Sequence, residues 1–147
     1  MSLKVVYDTS VVAAAALKAH GTASTLLSFA LTRQVTLYLS QPIFQEYQEV
    51  LARPRFRLPI DTIAPLLGAI RRTAVMVTPK QKVSVSHDEP DNRFLECAQA
   101  AHADYLVTSN TRHFPVEFHE TRIVTPATFA RLVAEHLYPR TPVKSKP

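Results

Sequence analysis

The stretch LKVVYDTSVVAAAALKA, residues 3 to 19, joins a short apolar run to an alanine-rich run through the polar triplet Asp8-Thr9-Ser10. Residues 3–7 have the apolar character of a buried strand, and the alanine-rich run is typical of a helix, which Thr9 or Ser10 can cap. Asp8 is therefore predicted to lie at the carboxyl end of the first strand. It could start the helix as a cap, but the carboxyl ends of strands are also where ligands bind in sheets flanked by helices.

The alternation of strand and helix patterns continues along the chain. We expect further strands at residues 35–39, 74–77, 105–107 and 122–124. We expect helices at residues 11–19, 22–33, 41–52, 60–73, 91–102 and 126–137. This alternation favours an α/β fold with a parallel sheet flanked by helices. The predicted domain covers residues 1–137, and the proline-rich, basic tail at residues 138–147 is expected to be disordered.

The composition excludes several classes of protein. A single cysteine, Cys97, rules out a disulfide framework and a thiolate zinc cluster, and it fits a reducing cytoplasm. With only Gly21 and Gly68, the chain cannot form a glycine-rich phosphate loop. Asp8 interrupts the apolar start of the chain, which argues against a signal sequence, and no run approaches the roughly 18 apolar residues of a membrane span. We therefore expect a cytoplasmic protein without a membrane anchor.

The net charge of +5 and the pI near 9.6 are compatible with a polyanionic partner such as RNA. They are equally compatible with a basic surface that serves only solubility. Charge alone therefore does not decide whether nucleic acid is a partner.

Glu46 lies where an apolar residue is expected. In the predicted helix at residues 41–52, Ile43, Tyr47 and Val50 form an inward stripe, and Glu46 falls on it, whereas Glu49 falls towards solvent. An ionised carboxylate on a buried face is costly unless it is paired with a cation or coordinates a metal. A nearby arginine is one explanation of Glu46, and a metal ion is the other.

The segment HDEPDNRFLE, residues 87 to 96, offers two further acids. Asp88 has the position of a helix cap, with a proline in the first turn and an acid three residues later. Asp91 shares the helix face of Phe94 and Leu95, so it is the better inward-facing acid. Together with Asp8 and Glu46, it gives one acid from each of three separate segments. Carboxylates gathered in this way are typical ligands of Mg²⁺ or Mn²⁺.

Five segments resemble the PIN-domain proteins, most closely the branch of toxins from toxin–antitoxin pairs. They are VVYDTSV, IFQEYQEVLARPRF, DEPDNRFLECAQAAHADYLVTSN, RHFP and IVTPATF. The resemblance spans residues 3 to about 133. It implies a three-layer αβα domain with a central, mostly parallel sheet of about four to five strands. It also implies an endoribonuclease that uses Mg²⁺ or Mn²⁺, with a small antitoxin protein as partner and a homodimer as a candidate assembly.

The resemblance assigns roles by motif. Asp8, Glu46 and Asp91 become the catalytic, metal-binding acids, and Asp88 matches an additional acid of this branch. The implied mechanism is in-line attack by a metal-bound water, leaving a 5′-phosphate and a 3′-hydroxyl. The expected supporting residues are Ser10, Asn92, Thr108, Ser109 and Asn110.

The chain departs from the family pattern at Asn110, where many PIN domains carry a fourth acid, and at Ser109, where glycine is usual. The loss of one negative charge predicts weaker binding of a second metal ion, for which Asp88 could compensate. It also leaves an alternative function open: a catalytically weak or inactive PIN-like module that binds RNA or a protein partner.

Two basic segments are candidate contacts for RNA phosphates. Arg53 and Arg55 alternate in RPRFR beside the Glu46 helix, with Phe56 available for base stacking. Arg112 and His113 follow Asn110 directly. A solvated loop with Phe56 in the core explains the first segment equally well.

Overall fold

The strand β1, Lys4–Tyr7, lies inside a six-stranded sheet in the computed structural model, which describes residues 2–139. The strand order is β3-β2-β1-β4-β6-β5, with β5 antiparallel to β6 and the other pairs parallel. The other strands are β2 Thr36–Leu39, β3 Val75–Met76, β4 Tyr105–Val107, β5 Glu117–Phe118 and β6 Thr121–Val124. The helices are α1 Thr9–Leu17, α2 Thr22–Leu31, α3 Gln41–Leu51, α4 Ile60–Thr73, α5 Asn92–Ala101 and α6 Pro126–Leu137. Short 3₁₀ turns cover Pro54–Phe56, Glu89–Asp91 and Thr111–His113.

The α/β fold and the mostly parallel sheet are confirmed, and each predicted strand and helix is present. The expected number of strands was one too low, because β5 was not predicted. Its two residues pair with β6 across a tight turn in which His119 has a positive φ of 54°. A two-residue strand leaves no detectable alternation in the sequence. The predicted disordered tail begins at residue 138, and its residues 140–147 lie outside the described part of the chain.

The order of the strands creates a crevice at the carboxyl end of β1. The chain moves from β1 to β2 and β3 in one direction, then returns to β4 on the other side of β1. Right-handed crossovers place α5 on the sheet face opposite the helices that connect β1 to β2. The carboxyl ends of β1 and β4 therefore lie side by side where the strand order reverses, which is where sheets of this type bind ligands. None of the helices within residues 2–139 is long and apolar enough to cross a membrane.

Two buried tyrosines hold the end of β1 against the helices. The hydroxyl of Tyr7 donates to the carbonyl of Leu26 in α2 at 2.7 Å, and its ring meets the edge of Phe129 from α6. The hydroxyl of Tyr47 in α3 donates to the backbone carbonyl of Tyr7 at 2.5 Å. Since Tyr47 directly follows Glu46 and Tyr7 directly precedes Asp8, this second bond fixes the separation of two acids.

Tyr47→Phe should lower the free energy of unfolding by about 1 to 2 kcal/mol, because it removes a buried hydrogen bond and retains the ring. Urea denaturation measures this change. Tyr138→Phe is the control, since Tyr138 is 81% exposed and its hydroxyl should contribute less than about 0.5 kcal/mol. Equal stability of Tyr47→Phe and the wild type would show that the bond does not hold α3 to β1.

Candidate metal centre

Asp8 is buried at the carboxyl end of β1, only 5% exposed. It occupies the position before α1, but its side chain does not cap the helix. Its Oδ2 instead accepts hydrogen bonds of 2.7 Å from the hydroxyls of Ser10 and Thr108. The prediction that Thr9 or Ser10 caps α1 is wrong, because both lie inside the helix. The carboxylate is therefore fixed across β1 and β4 by two hydroxyl donors.

Glu46 is half-buried on α3, on the same side as the buried residues Ile43 and Tyr47, while Glu49 is exposed. The Thr9 hydroxyl donates to its carboxylate. No arginine within residues 2–139 forms an ion pair with Glu46, but Arg53 is near enough for its charge to lower the pKa of Glu46, so the alternative of an arginine partner is met in part. Burial raises the pKa of Glu46, the Thr9 bond lowers it, and the neighbouring Asp8 raises it again. The site thus holds two carboxylates close enough to repel each other.

Asp88 does not cap a helix, contrary to the sequence prediction. It precedes the 3₁₀ turn Glu89–Asp91, is exposed, and makes no side-chain capping bond. The neighbouring buried Asn92 organises this segment instead. Its Oδ1 accepts from the backbone N–H groups of Val85 and Ser86 at 3.1 and 2.8 Å, and its Nδ2 donates to the Ser86 carbonyl at 3.2 Å. The amide of Asn92 therefore holds the start of α5, and the Asp88 carboxylate is not used for capping and can bind a ligand.

Asp91 ends the 3₁₀ turn, directly before α5, and its side chain is 14% exposed. Burial, followed by repulsion from Asp8 and Asp88, raises the pKa of Asp91 to about 6, although His113 opposes the shift. A carboxyl group whose charge is disfavoured by two neighbouring acids is one that a cation would stabilise. Asp91 therefore meets the charges of two other acids of the cleft.

The segment after β4 supports Asp8 through a series of hydrogen bonds. The buried hydroxyl of Thr108, which donates to Asp8, also accepts from the backbone N–H of Asn110 at 3.0 Å. The backbone N–H of Ser109 donates to the Ser10 hydroxyl at 3.1 Å. Asn110 is exposed and lines the cleft. Asn110 thus lies in the same cleft as the four carboxylates, at the position where many PIN domains have a further acid.

A cleft of about 300 Å³ brings these side chains together. It is lined by the four acids Asp8, Glu46, Asp88 and Asp91, by Asn110, and by Arg53, Arg55 and Phe56 from the 3₁₀ turn Pro54–Phe56. The guanidinium of Arg55 lies over the Phe56 ring, 4.9 Å from its centre. Arg112 lies outside this cleft, in neighbouring cavities that it shares with His113. The structure thus gathers the predicted acids on one side of the sheet, with basic residues around them.

His113 is closer to the acids than the sequence suggested. We expected it only as a substrate contact, but its Nδ1 lies 3.1 Å from Oδ2 of Asp91 and 3.7 Å from Oδ2 of Asp88. One ligand atom from each of the three residues lies within 4.8 Å of the others. This cluster forms between two loops, so it shows none of the paired histidine spacing on one helix that marks many metal sites in a sequence. The only signal in the sequence was the position of His113 shortly after Asn110.

The donor set fits a divalent metal ion. Four carboxylates and one imidazole line one cleft, and the ligand atoms of Asp88, Asp91 and His113 lie within 4.8 Å of one another. Carboxylate oxygens are the preferred ligands of hard cations. Arg53 and Arg55 line the same cleft and bring positive charge to these acids. A divalent cation would relieve the repulsion that raises the pKa of Asp91.

Comparison with known proteins agrees with this geometry. An uncharacterized protein from Methanocaldococcus jannaschii is 26% identical to the chain over 106 residues, which cover 70% of this chain and 68% of that protein. The family model for the PIN domain matches residues 4–112, a segment that contains all four acids and Asn110. The chain therefore belongs to the PIN domain family.

Proposed function

We propose that the protein is an endoribonuclease that hydrolyses RNA phosphodiester bonds with Mg²⁺ or Mn²⁺ as its cofactor. The observation that carries this proposal is the convergence of Asp8, Glu46 and Asp91 from three separate segments in one cleft. The cleft lies at the carboxyl ends of β1 and β4, where this fold binds ligands. PIN domains are generally nucleases that use divalent metals and act on RNA, so membership of the family supports the same reaction.

In this mechanism Asp8, Glu46 and Asp91 hold the ion, with Asp88 as an additional ligand. The bound ion would supply an activated water and neutralise charge on the phosphodiester. Ser10 and Thr108 orient the Asp8 carboxylate by donating to one of its oxygens, which leaves the other for the ion. Thr9 orients Glu46 in the same way. Such hydrogen bonds to ligands commonly change metal affinity by about 10–100-fold.

The basic residues around the cleft are proposed to bind the RNA backbone. Arg53 and Arg55 line the cleft beside the acids, and Arg112 lies next to His113. All three side chains are exposed and free to reach phosphate groups. The stacked pair of Arg55 and Phe56 adds a flat surface on which a base could rest.

The finer role proposed is that of a cytoplasmic toxin inhibited by a small antitoxin protein. The resemblance of the sequence motifs to that branch supports it. A surface for the antitoxin, or for a second copy of the chain in a homodimer, is proposed at the exposed edge strand β3. Its residues Val75 and Met76 are 43% and 41% exposed and have free backbone groups on one side.

The alternative function, a PIN-like module that binds RNA without cutting it, is favoured by one observation. Asn110 lines the cleft in place of a fourth acid, so the site carries one negative charge less than the family pattern. Binding without cleavage in the following assay would support this alternative.

Cleavage should depend on the acids and on a divalent metal. We expect Asp8→Asn and Glu46→Gln to lower kcat/KM by more than about 100-fold, since each removes a metal ligand rather than a supporting bond. Glu49→Gln on the same helix is the matched control and should retain activity, because Glu49 is exposed and outside the cleft. The assay uses structured RNAs and single-stranded DNA with Mg²⁺, Mn²⁺ or EDTA. Cleavage that survives Asp8→Asn, or persists in EDTA, would contradict the mechanism.

Asp91→Asn should stabilise the metal-free protein, and more so at higher pH. The pKa of Asp91 rises from 3.8 to about 6 on folding, so the folded state binds the proton more tightly than the unfolded state. That contribution to stability is fully present below about pH 3.8 and is lost as the pH rises through about 6. Urea denaturation in EDTA should therefore show a larger advantage of the variant at pH 7 than at pH 4.5.

With added Mn²⁺ at pH 7, the wild type should become more stable than Asp91→Asn, because it gains metal-binding energy that the variant lacks. Glu49→Gln again serves as the control and should follow the wild type at both pH values. An advantage of Asp91→Asn that is constant with pH would show that Asp91 is not repelled by the other acids.

Expression of the wild type in a bacterial host should arrest growth, and the Asp8→Asn variant should not, if the protein is a toxin. Co-expression of the short reading frame adjacent to its gene should restore growth, because the antitoxin would occupy the enzyme. Colony counts measure the growth arrest and its reversal. Gels show whether ribosomal and transfer RNA stay intact in each case. Normal growth with active, soluble wild-type enzyme would contradict the toxin role and leave the nuclease role standing.

A further inference from the structure

We propose that His113 is a metal ligand, which together with Asp88 and Asp91 takes the place of the acid missing at Asn110. The imidazole gives the centre a preference for a first-row transition-metal dication such as Mn²⁺ over Mg²⁺. This inference rests on the proposed function, since it concerns the ion that the nuclease site would hold.

The distance from His113 to Asp91 matches that between adjacent ligands of one ion, and the distance from His113 to Asp88 falls between the values for adjacent and opposite ligands. Octahedral ligands with bonds of about 2.1 Å lie about 3.0 Å apart when adjacent and about 4.2 Å apart when opposite. The Nδ1 atom of His113 lies 3.1 Å from Asp91 and 3.7 Å from Asp88, and the three ligand atoms lie within 4.8 Å of one another. Only small side-chain movements are needed to place a common ion between them.

The backbone holds His113 and Asp88 together without help from any ion. The Ser86 hydroxyl donates to the carbonyl of His113 at 2.6 Å and accepts from the backbone N–H of Asp88 at 3.2 Å. Ser86 is itself fixed by the buried Asn92. The His113 backbone also closes the 3₁₀ turn, with its N–H donating to the carbonyl of Asn110 at 3.0 Å. A loop before α5 and a turn after β4 are thus joined so that their donor atoms face each other.

Ligand chemistry then indicates which ion is favoured. Carboxylates and water suit Mg²⁺, whereas a neutral imidazole nitrogen suits transition metals better. Asn110 offers at most a neutral amide oxygen, which adds no preference for a transition metal. His113 replaces the lost acid with a ligand of a different class, so the change at position 110 alters selectivity as well as charge.

The competing explanation is that protonated His113 is only a counter-charge to Asp88 and Asp91. Such a histidine would leave the site when a metal ion replaces it. Both explanations predict that His113 matters, so a loss of activity in a variant would not separate them. A direct observation of nitrogen bound to the metal does separate them.

The test is pulsed electron paramagnetic resonance of the full chain loaded with Mn²⁺. We expect ¹⁴N modulation from a coordinated imidazole in the wild type, and its loss in His113→Gln and His113→Asp. His87→Gln is the matched control and should retain the modulation, because His87 is an exposed neighbour of Asp88. Competition binding should show that His113→Asp, an all-oxygen site, lowers the ratio of Mn²⁺ to Mg²⁺ affinity by about tenfold or more.

The outcomes separate this inference from the proposed function. Wild-type protein that binds Mn²⁺ without ¹⁴N modulation would overturn the inference and leave the metal-dependent nuclease intact. Modulation that persists in both His113 variants would overturn it as well. Failure of the wild type to bind Mn²⁺ or Mg²⁺ would overturn the proposed function and the inference together. If the His113 variants fail to fold, ¹⁴N modulation that is present in the wild type and retained in His87→Gln still assigns the nitrogen to His113, and its loss in His87→Gln overturns the inference.

Discussion

Asp8 is an acid buried at the end of a strand inside the sheet, and the rest of the site is arranged around the need to keep its charge there. An ionised carboxylate in such a position is costly unless donors surround it. Ser10 from α1 and Thr108 from the end of β4 supply those donors, and each is bound in turn to the segment after β4. Because the two strands are neighbours, the polar network also determines how the loops after β1 and β4 meet.

The repulsion among the acids is balanced by rigid tethers. Tyr47 ties the Glu46 helix to the last residue of β1, and Asn92 ties the loop carrying Asp88 to the start of α5. Each tether joins backbone or buried groups, so the carboxylates cannot easily move apart to reduce their repulsion. Burial, followed by the charges of Asp8 and Asp88, raises the pKa of Asp91, so its ionised form is disfavoured in the metal-free protein. A site of this kind sacrifices some stability to be ready for a cation.

The residues that sequence could place are those whose orientation follows from local periodicity. Asp8 follows an apolar strand and Glu46 lies on a helical stripe, so each direction could be read from neighbours within one element. Asp88 was wrongly predicted to be a helix cap, because a capping pattern shows that a side chain could make the capping bond and does not show that it makes it. The buried Asn92 instead holds the start of α5 through hydrogen bonds to the loop before it. His113 depended on two loops meeting across the sheet, and β5 on a turn with a left-handed residue, neither of which leaves a periodic pattern.

In the proposed nuclease, the acids that would hold a cation would also repel an RNA phosphate, so metal and substrate would not bind this cleft independently. Arg53 and Arg55 line the cleft, yet four carboxylates lie beside them. Binding of a divalent ion changes the local charge by two units and removes most of that repulsion. By thermodynamic reciprocity, RNA must then strengthen metal binding as much as metal strengthens RNA binding. The asparagine at position 110 makes the cleft less negative than an acid would, so in the proposed nuclease it would weaken this coupling as well as the binding of a second ion.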